Sequence, residues 1–250
     1  MKVMRQLSKL AAGTAVAAIA AAAGASLAQA DGMPGKRVAY EKPWDWGGLY
    51  FGVHSGWQWS DVDVGFPLFG SSFGVQHDSP VAGGQIGIQH QFGQIVVGIE
   101  ASATFAYQNE PGSDPCPNPA LTCSARLDNV LTIGPRIGFA AGKWMPYITG
   151  GYANASFDGV ARQNGTQIET ERAHARLSGW YVGGGVEMAL SHGWTVGLEY
   201  RHYDFQDKTV IGFAPGGIAI EPWQFDASSD TFTLRASWKL GRPDRVSPLK

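Results

Sequence analysis

The chain has 250 residues, of which 16% are charged and 44% hydrophobic, with 34 glycines, nine tryptophans and a formal net charge of −2. Charge content this far below the roughly 25% of soluble domains is unusual. Three of the 19 basic residues fall within the first nine positions, leaving 16 basic against 21 acidic residues, near −5, in the rest of the chain; that balance excludes nucleic-acid binding as the basis of function.

Lys2, Arg5 and Lys9 form a basic start, Leu10 to Gly24 is an alanine-rich apolar run, and Ala28-Gln29-Ala30 supplies small residues before a cleavage point. This predicts a secretory signal over residues 1–30, removed after Ala30. The apolar run is shorter than the roughly 20 residues a helical span needs, and no later run is apolar enough to be one. Residues 31–47 are expected to form a periplasmic N-terminal segment.

From residue 48 the pattern has period two, which is that of a strand. Leu49, Phe51, Val53, Trp57 and Trp59 alternate with Tyr50, Gly52, His54, Gly56 and Gln58. A second strand is expected over about Val81–Phe92 with Ile86 and Ile88 outward, and a third over Ile95–Tyr107, with Val97, Ile99 and Phe105 opposite Glu100, Ser102 and Thr104. The fourth, near Arg126–Ala140, sets Leu131, Ile133 and Ile137 against Thr132 and Arg136. The fifth is Met145–Phe157, whose small residues leave its facing open. Gly179–Leu190 and Trp194–Phe205 form a hairpin with Trp180, Val182, Val186, Leu198 and Tyr200 on one face and Glu187, Glu199 and Arg201 on the other. The eighth, Asp230–Leu240, alternates Phe232, Leu234 and Trp238 with Thr233, Arg235 and Lys239. Putting charges on the faces that meet across a hairpin suits a barrel with lipid outside and a polar lumen. The expected fold is therefore all-β, an eight-stranded antiparallel up-and-down transmembrane β-barrel over residues 48–240, followed by a periplasmic tail at 241–250. Connections near residues 93, 142 and 192 are tight. Those at about 60–80, 108–125, 158–176 and 206–229 are long and rich in Gly, Pro, Asn and Asp. Short periplasmic turns and long surface loops place both ends of the barrel on the periplasmic side.

Thr132 to Ala153, TIGPRIGFAAGKWMPYITGGYA, resembles the G-x-R-x-G-aromatic-A and P-Y-x-T-G-G pattern of the small outer-membrane β-barrel proteins of Gram-negative bacteria, the "porin family" or surface antigens of the OmpA/OmpX-like kind. WDWGGLYFGVHSGW at Trp44–Trp57 is similar to their first strand, and Gly179–Phe205 to their sixth and seventh. The resemblance implies an eight-stranded barrel of the cell outer membrane with roles in envelope integrity, adhesion or immune exposure, and in some members haem binding. Two features depart from it. Gly241–Lys250 follow the last strand, where family chains usually stop at an aromatic, and Pro135 lies mid-strand, where a bulge is expected.

Glu100, Arg136, Glu187, Glu199, Arg201, Arg235 and Lys239 share inward parity on five strands. An ion path or gate is one reading; a polar plug is the preferred one, because eight strands leave an interior just wide enough for side chains and an unpaired buried charge costs several kcal/mol. Trp57, Trp59, Trp144, Trp180, Trp194 and Trp238 fall near strand ends and read as membrane-interface anchors, with Trp44 and Trp46 preceding the first strand. Loop aromatics Phe66, Phe69 and Trp223 could contact carbohydrate. A lipid A-modifying enzyme would need His202 and Asp204 with Ser60 or Ser178, and a haem receptor would use surface His77 and His174; no spacing ties either set together, and no catalytic residue, metal site or cofactor is expected. Cys116 and Cys123, an even pair in an exported chain, predict a disulfide. The expected function is structural and surface-interacting, with a narrow diffusion channel as the alternative. Outer-membrane lipid, lipopolysaccharide and a surface ligand held by the loops are the expected partners of a monomer.

Overall fold

The computed structural model describes residues 44–240 except 69, 108–111, 116, 117, 119, 165 and 167. Ala30, Phe69 and Cys116 lie outside the described residues, as do the proposed signal, most of the N-terminal segment and the tail after Leu240. Ten strands follow in chain order: β1 (Gly48–Phe66), β2 (Ser71–Phe92), β3 (Ile95–Ala106), β4 (Gly112–Pro115), β5 (Leu121–Phe139), β6 (Trp144–Gln163), β7 (Glu169–Ala189), β8 (Trp194–Phe205), β9 (Lys208–Ala214) and β10 (Ile218–Leu240). β1, β2, β3, β5, β6, β7, β8 and β10 pair as successive antiparallel neighbours. The ring closes where β10 meets β1, from Leu49↔Leu240 to Gly65↔Gln224. β4 pairs with β5, and β9 sits between β10 and β7. Closure leaves the eight-strand ring without an edge, which is what allows strands to cross a membrane.

The tight turns use backbone that favours glycine: Gly93 has φ 62° and Gly142 has φ 64°, while in the third the strain is shared by His192 at φ 60° and Gly193 at φ 87°. Between these turns and the middle of the barrel the outward side chains are apolar. Phe51, Val53, Ile86, Ile88, Ile99, Leu131, Ile137, Ile148 and Leu234 are all exposed. Trp144 and Trp194 close this belt at one end and Trp57, Trp59 and Trp180 at the other, as indole rings favour the interface. Trp46 is no anchor of this kind: its ring is 1% exposed, and its backbone is held by Gln91 and Gln89 (N–H to Gln91 Oε1 2.8 Å; Gln89 Nε2 to its carbonyl 2.6 Å).

The segments expected to be long irregular loops are largely strand. β1, β2, β5, β6, β7 and β10 run 19 to 23 residues, about twice the 9–11 a bilayer crossing requires. Along each, the apolar parity inverts. In β1, Trp57 and Trp59 point out, whereas beyond Ser60 the buried positions are Val62, Val64 and Phe66 and the outward ones Asp61 and Asp63. In β7, outward Arg172, His174 and Arg176 give way to outward Trp180 and Val182, while Ala173, Ala175 and Leu177 are buried. β10 does the same with inward Trp223, Phe225 and Ala227 and outward Asp226. The ring thus continues past the membrane as a barrel of opposite polarity, apolar within and polar without, because its surroundings change from hydrocarbon to water. Phe66 and Trp223 belong to this inner cluster at 6% and 0% exposure, so neither is a surface carbohydrate contact.

Pro135 produces no register slip. The ladder between β5 and β6 skips Gly134 and Pro135 and resumes unshifted (Ile133↔Tyr152, Arg136↔Thr149), while that with β3 stays continuous through Ile99↔Pro135. The missing donor therefore costs one local interruption, and the Thr149 hydroxyl donates to the Pro135 carbonyl at 3.0 Å. The bulge in this strand lies instead between Leu127 and Asn129.

Candidate functional site: the ion-packed lumen

Glu100 on β3 is the centre of the lumen. Its Oε1 accepts from Arg201 Nη2 (2.7 Å) and Arg235 Nη1 (3.0 Å), and its Oε2 from Arg235 Nη2 (2.5 Å), Arg136 Nη1 (3.1 Å) and the Tyr50 hydroxyl (2.7 Å). Glu199 accepts from Arg235 Nη1 at 2.5 Å and from Tyr147 at 2.8 Å, and its other oxygen lies 2.7 Å from Arg201 Nε. Glu187 takes Arg136 Nη2 at 2.9 Å and lies 3.9 Å from Arg235 Nε. Three carboxylates and three guanidiniums so balance, each side chain at most 5% exposed. Arg136 stacks over Tyr147, 4.0 Å to the ring centroid, and Arg201 over Tyr181 at 5.0 Å.

Six of the seven predicted lumen charges are therefore brought together. The seventh, Lys239, stands opposite Tyr50 in the β1–β10 register, half-buried and alongside Gly48 near the end of the barrel that carries the tight turns. The parity count passed over the tyrosines. Tyr50 and Tyr181 were legible as inward; Tyr147 became so only once the facing of β6 was known, with Met145, Tyr147, Thr149 and Ala153 buried. Glycines make the room: a Cβ at Gly87 would meet the Tyr50 hydroxyl at 2.4 Å and one at Gly185 the Tyr147 hydroxyl at 2.8 Å.

Above this layer, on the side of the long hairpins, His54 bridges Gln85 Oε1 (Nδ1, 2.7 Å) and Thr104 Oγ1 (Nε2, 3.0 Å), and Gln58, Ser60 and Ser229 form a hydroxyl-amide chain. Above that lies the apolar cluster of Val64, Phe73, Phe157, Trp223 and Phe225, in which Trp223 Nε1 donates to buried Glu171 at 2.7 Å. Packed side chains thus occupy the interior at each level described.

The other candidates do not converge. His202 faces outward and binds Asp230 (2.8 Å), which also accepts from Tyr200 (2.6 Å). Ser60 is in the lumen, and Ser178 is bonded to Tyr152 (2.9 Å), four residues along β7 from Val182, the register partner of His202. His77 on β2 is inward and half-buried rather than at the surface, whereas outward His174 pairs with Asp158 at 2.9 Å. Among the described residues no group of three His, Cys, Asp or Glu could hold a metal. Cys123 is disulfide-bonded and 1% exposed; the chain's other cysteine is Cys116.

A closed antiparallel ring with a lipid-facing apolar belt, interface tryptophans and a charge-packed lumen defines a small transmembrane β-barrel. The sequence pattern of the outer membrane protein beta-barrel domain matches residues 14–247, and the chain belongs to that family and to the outer membrane. It is 26% identical over 165 residues to the 25 kDa outer-membrane immunogenic proteins of Brucella ovis and Brucella abortus, spanning 66% of this chain and 72% and 68% of theirs. Among solved structures it is similar to Ail, the attachment invasion locus protein of Yersinia pestis, with 10% identity, 78% of this chain and 99% of that chain covered, and a TM-score of 0.44.

Proposed function

We propose that this protein is a non-porous structural barrel of the outer membrane that holds its extracellular hairpins rigidly for contact with a surface ligand. The observation that carries this reading is the inversion of polarity along the strands: the extension beyond the membrane has its own apolar core, so the turns it presents are displayed from a packed support. A filled lumen suits such a support and suits a channel poorly, since eight strands leave little more than side-chain volume. The immunogenic naming of the Brucella relatives accords with surface exposure.

The test is to measure ligand capture by the folded barrel with and without its turns. The chain with residues 67–70, 164–168 and 215–217 exchanged for minimal linkers should keep its fold, lose capture of host-surface ligands, and carry no steady current in planar bilayers. Porin-sized currents that survive substitution of Glu100 and Arg136 would overturn the reading in favour of a diffusion channel.

A further inference from the structure

The outward face of β7 carries Arg172, His174 and Arg176 in successive outward positions, all exposed. His174 is paired with Asp158, but among the described residues neither guanidinium has an ion pair. Lys208 joins the row from β9, its ammonium donating to the Arg176 carbonyl at 2.8 Å. The contrast with β1 and β10 is sharp, where the corresponding outward positions are Asp61, Asp63 and Asp226. In a chain with 16 basic against 21 acidic residues after its first nine positions, a cationic row on one side of the barrel is a local feature.

Its height matters. Arg176 lies four residues above Trp180 on the same face, about 13 Å along the strand at roughly 3.3 Å per residue, and Trp180 marks the membrane interface. Between them Ser178 accepts or donates to Tyr152, with Asn154 Nδ2 at 3.3 Å from the same hydroxyl. Tyr152 and Asn154 also line an open apolar groove in the lipid-facing surface, across which Ala101 and Ala103 lie in the same registers and Ile86, Phe105 and Leu131 add apolar side chains. The register Asn154↔Ser178 and Ser156↔Arg176 makes groove, polar step and cations one continuous path up the barrel wall.

We propose that this path binds one lipopolysaccharide molecule of the surrounding leaflet: an acyl chain in the groove, the sugar edge at Tyr152, Asn154 and Ser178, and phosphate on Arg176, Arg172 and Lys208. An acylated, phosphorylated glycolipid has the two chemistries in the same vertical order. Arginine matches phosphate bidentately, and cations next to the apolar belt recognise anionic lipid headgroups. A soluble polyanion would use the cations but leave the groove idle. The proposal does not depend on what the extracellular turns contact.

The test uses the full folded chain in nanodiscs, titrated with purified lipopolysaccharide, its dephosphorylated form, its deacylated phosphosaccharide and a sulfated polysaccharide. Arg172→Gln with Arg176→Gln should weaken intact lipopolysaccharide by about tenfold to thirtyfold, as expected for two cations at a lipid surface, and dephosphorylated ligand should bind wild type equally weakly. Ala103→Leu, which fills the groove from outside, should weaken intact lipopolysaccharide while leaving the deacylated saccharide unchanged. Each variant should retain the heat-dependent gel shift of the folded barrel. Unchanged affinity in the double variant would overturn the proposal, and so would Ala103→Leu binding like wild type while the sulfated polysaccharide binds as tightly as lipopolysaccharide; that second result would assign the cations to a soluble polyanion.

Discussion

The lumen carboxylates differ in how many arginines hold them and how closely, and this ranks their contributions. Glu100 meets Arg136, Arg201 and Arg235; Glu199 meets Arg201 and Arg235; Glu187 has Arg136 close and Arg235 at the margin. Removing one partner of a buried pair strands a charge and costs about 3–5 kcal/mol. Alanine substitution should therefore destabilise in the order Glu100, Glu199, Glu187, with Glu100→Ala at or above that range, whereas Asp63→Ala on the outer face should move the midpoint little. Urea unfolding in detergent would check the order, and equal midpoints for Glu100→Ala and wild type would remove the network as a source of stability. At the other end of the chain's chemistry, alkylation of denatured, unreduced protein should label neither cysteine, because Cys123 is bonded. Reduction should loosen the β4–β5 region by about 2 kcal/mol at most, the ring closed being short.

At the scale of elements, the six long strands behave as two joined pieces with different solvents. The membrane piece needs apolar residues outside; the extension needs them inside, where Trp223 touches Phe66 and Phe225 edge-on or tilted at 5.2 and 6.0 Å. Trp223→Ala should cost about 3–5 kcal/mol by cavity formation. The loss should fall on the extension alone, so that limited proteolysis cuts β9 and the hairpin ends while the membrane ring keeps its heat-dependent gel shift. If the ring melts with the extension in one transition, the two pieces are a single cooperative unit. The sequence already held the sign of this division, since in β1 the apolar set moves from odd positions up to Trp59 to even positions from Val62. Reading residues 60–80 and 206–229 as loops followed from their Gly, Pro and Asp content, but in a barrel wall such residues are tolerated at outward, water-facing positions and at turns. Composition alone does not separate a polar loop from the polar face of a strand.

For the whole molecule, closure gives each of the eight ring strands a paired neighbour on both sides, and an unfolded chain would expose the backbone groups so paired to hydrocarbon at several kcal/mol each. Unheated samples should consequently migrate apart from boiled ones on detergent gels. Planar bilayers should show at most small, intermittent conductance, rising when Glu100→Ala frees the arginines of the central layer. A steady large current from wild-type monomer would contradict a lumen filled by Arg136, Arg201, Arg235 and their carboxylates.

Alternation at period two is a property of the pleat, so the sequence by itself determined which side of the wall the residues of the clearly alternating strands take, which segments can cross a membrane, and that Glu100, Arg136, Glu187, Glu199, Arg201 and Arg235 face one interior. Height along the barrel axis is not a local property. It depends on strand tilt and on the stagger that closing β10 onto β1 imposes, and this alone brings Arg235 to Glu100 across 135 residues of chain. The same closure set Lys239 at the tight-turn end beside Gly48, faced Tyr147 toward Glu199, and turned Phe66 and Trp223 into core.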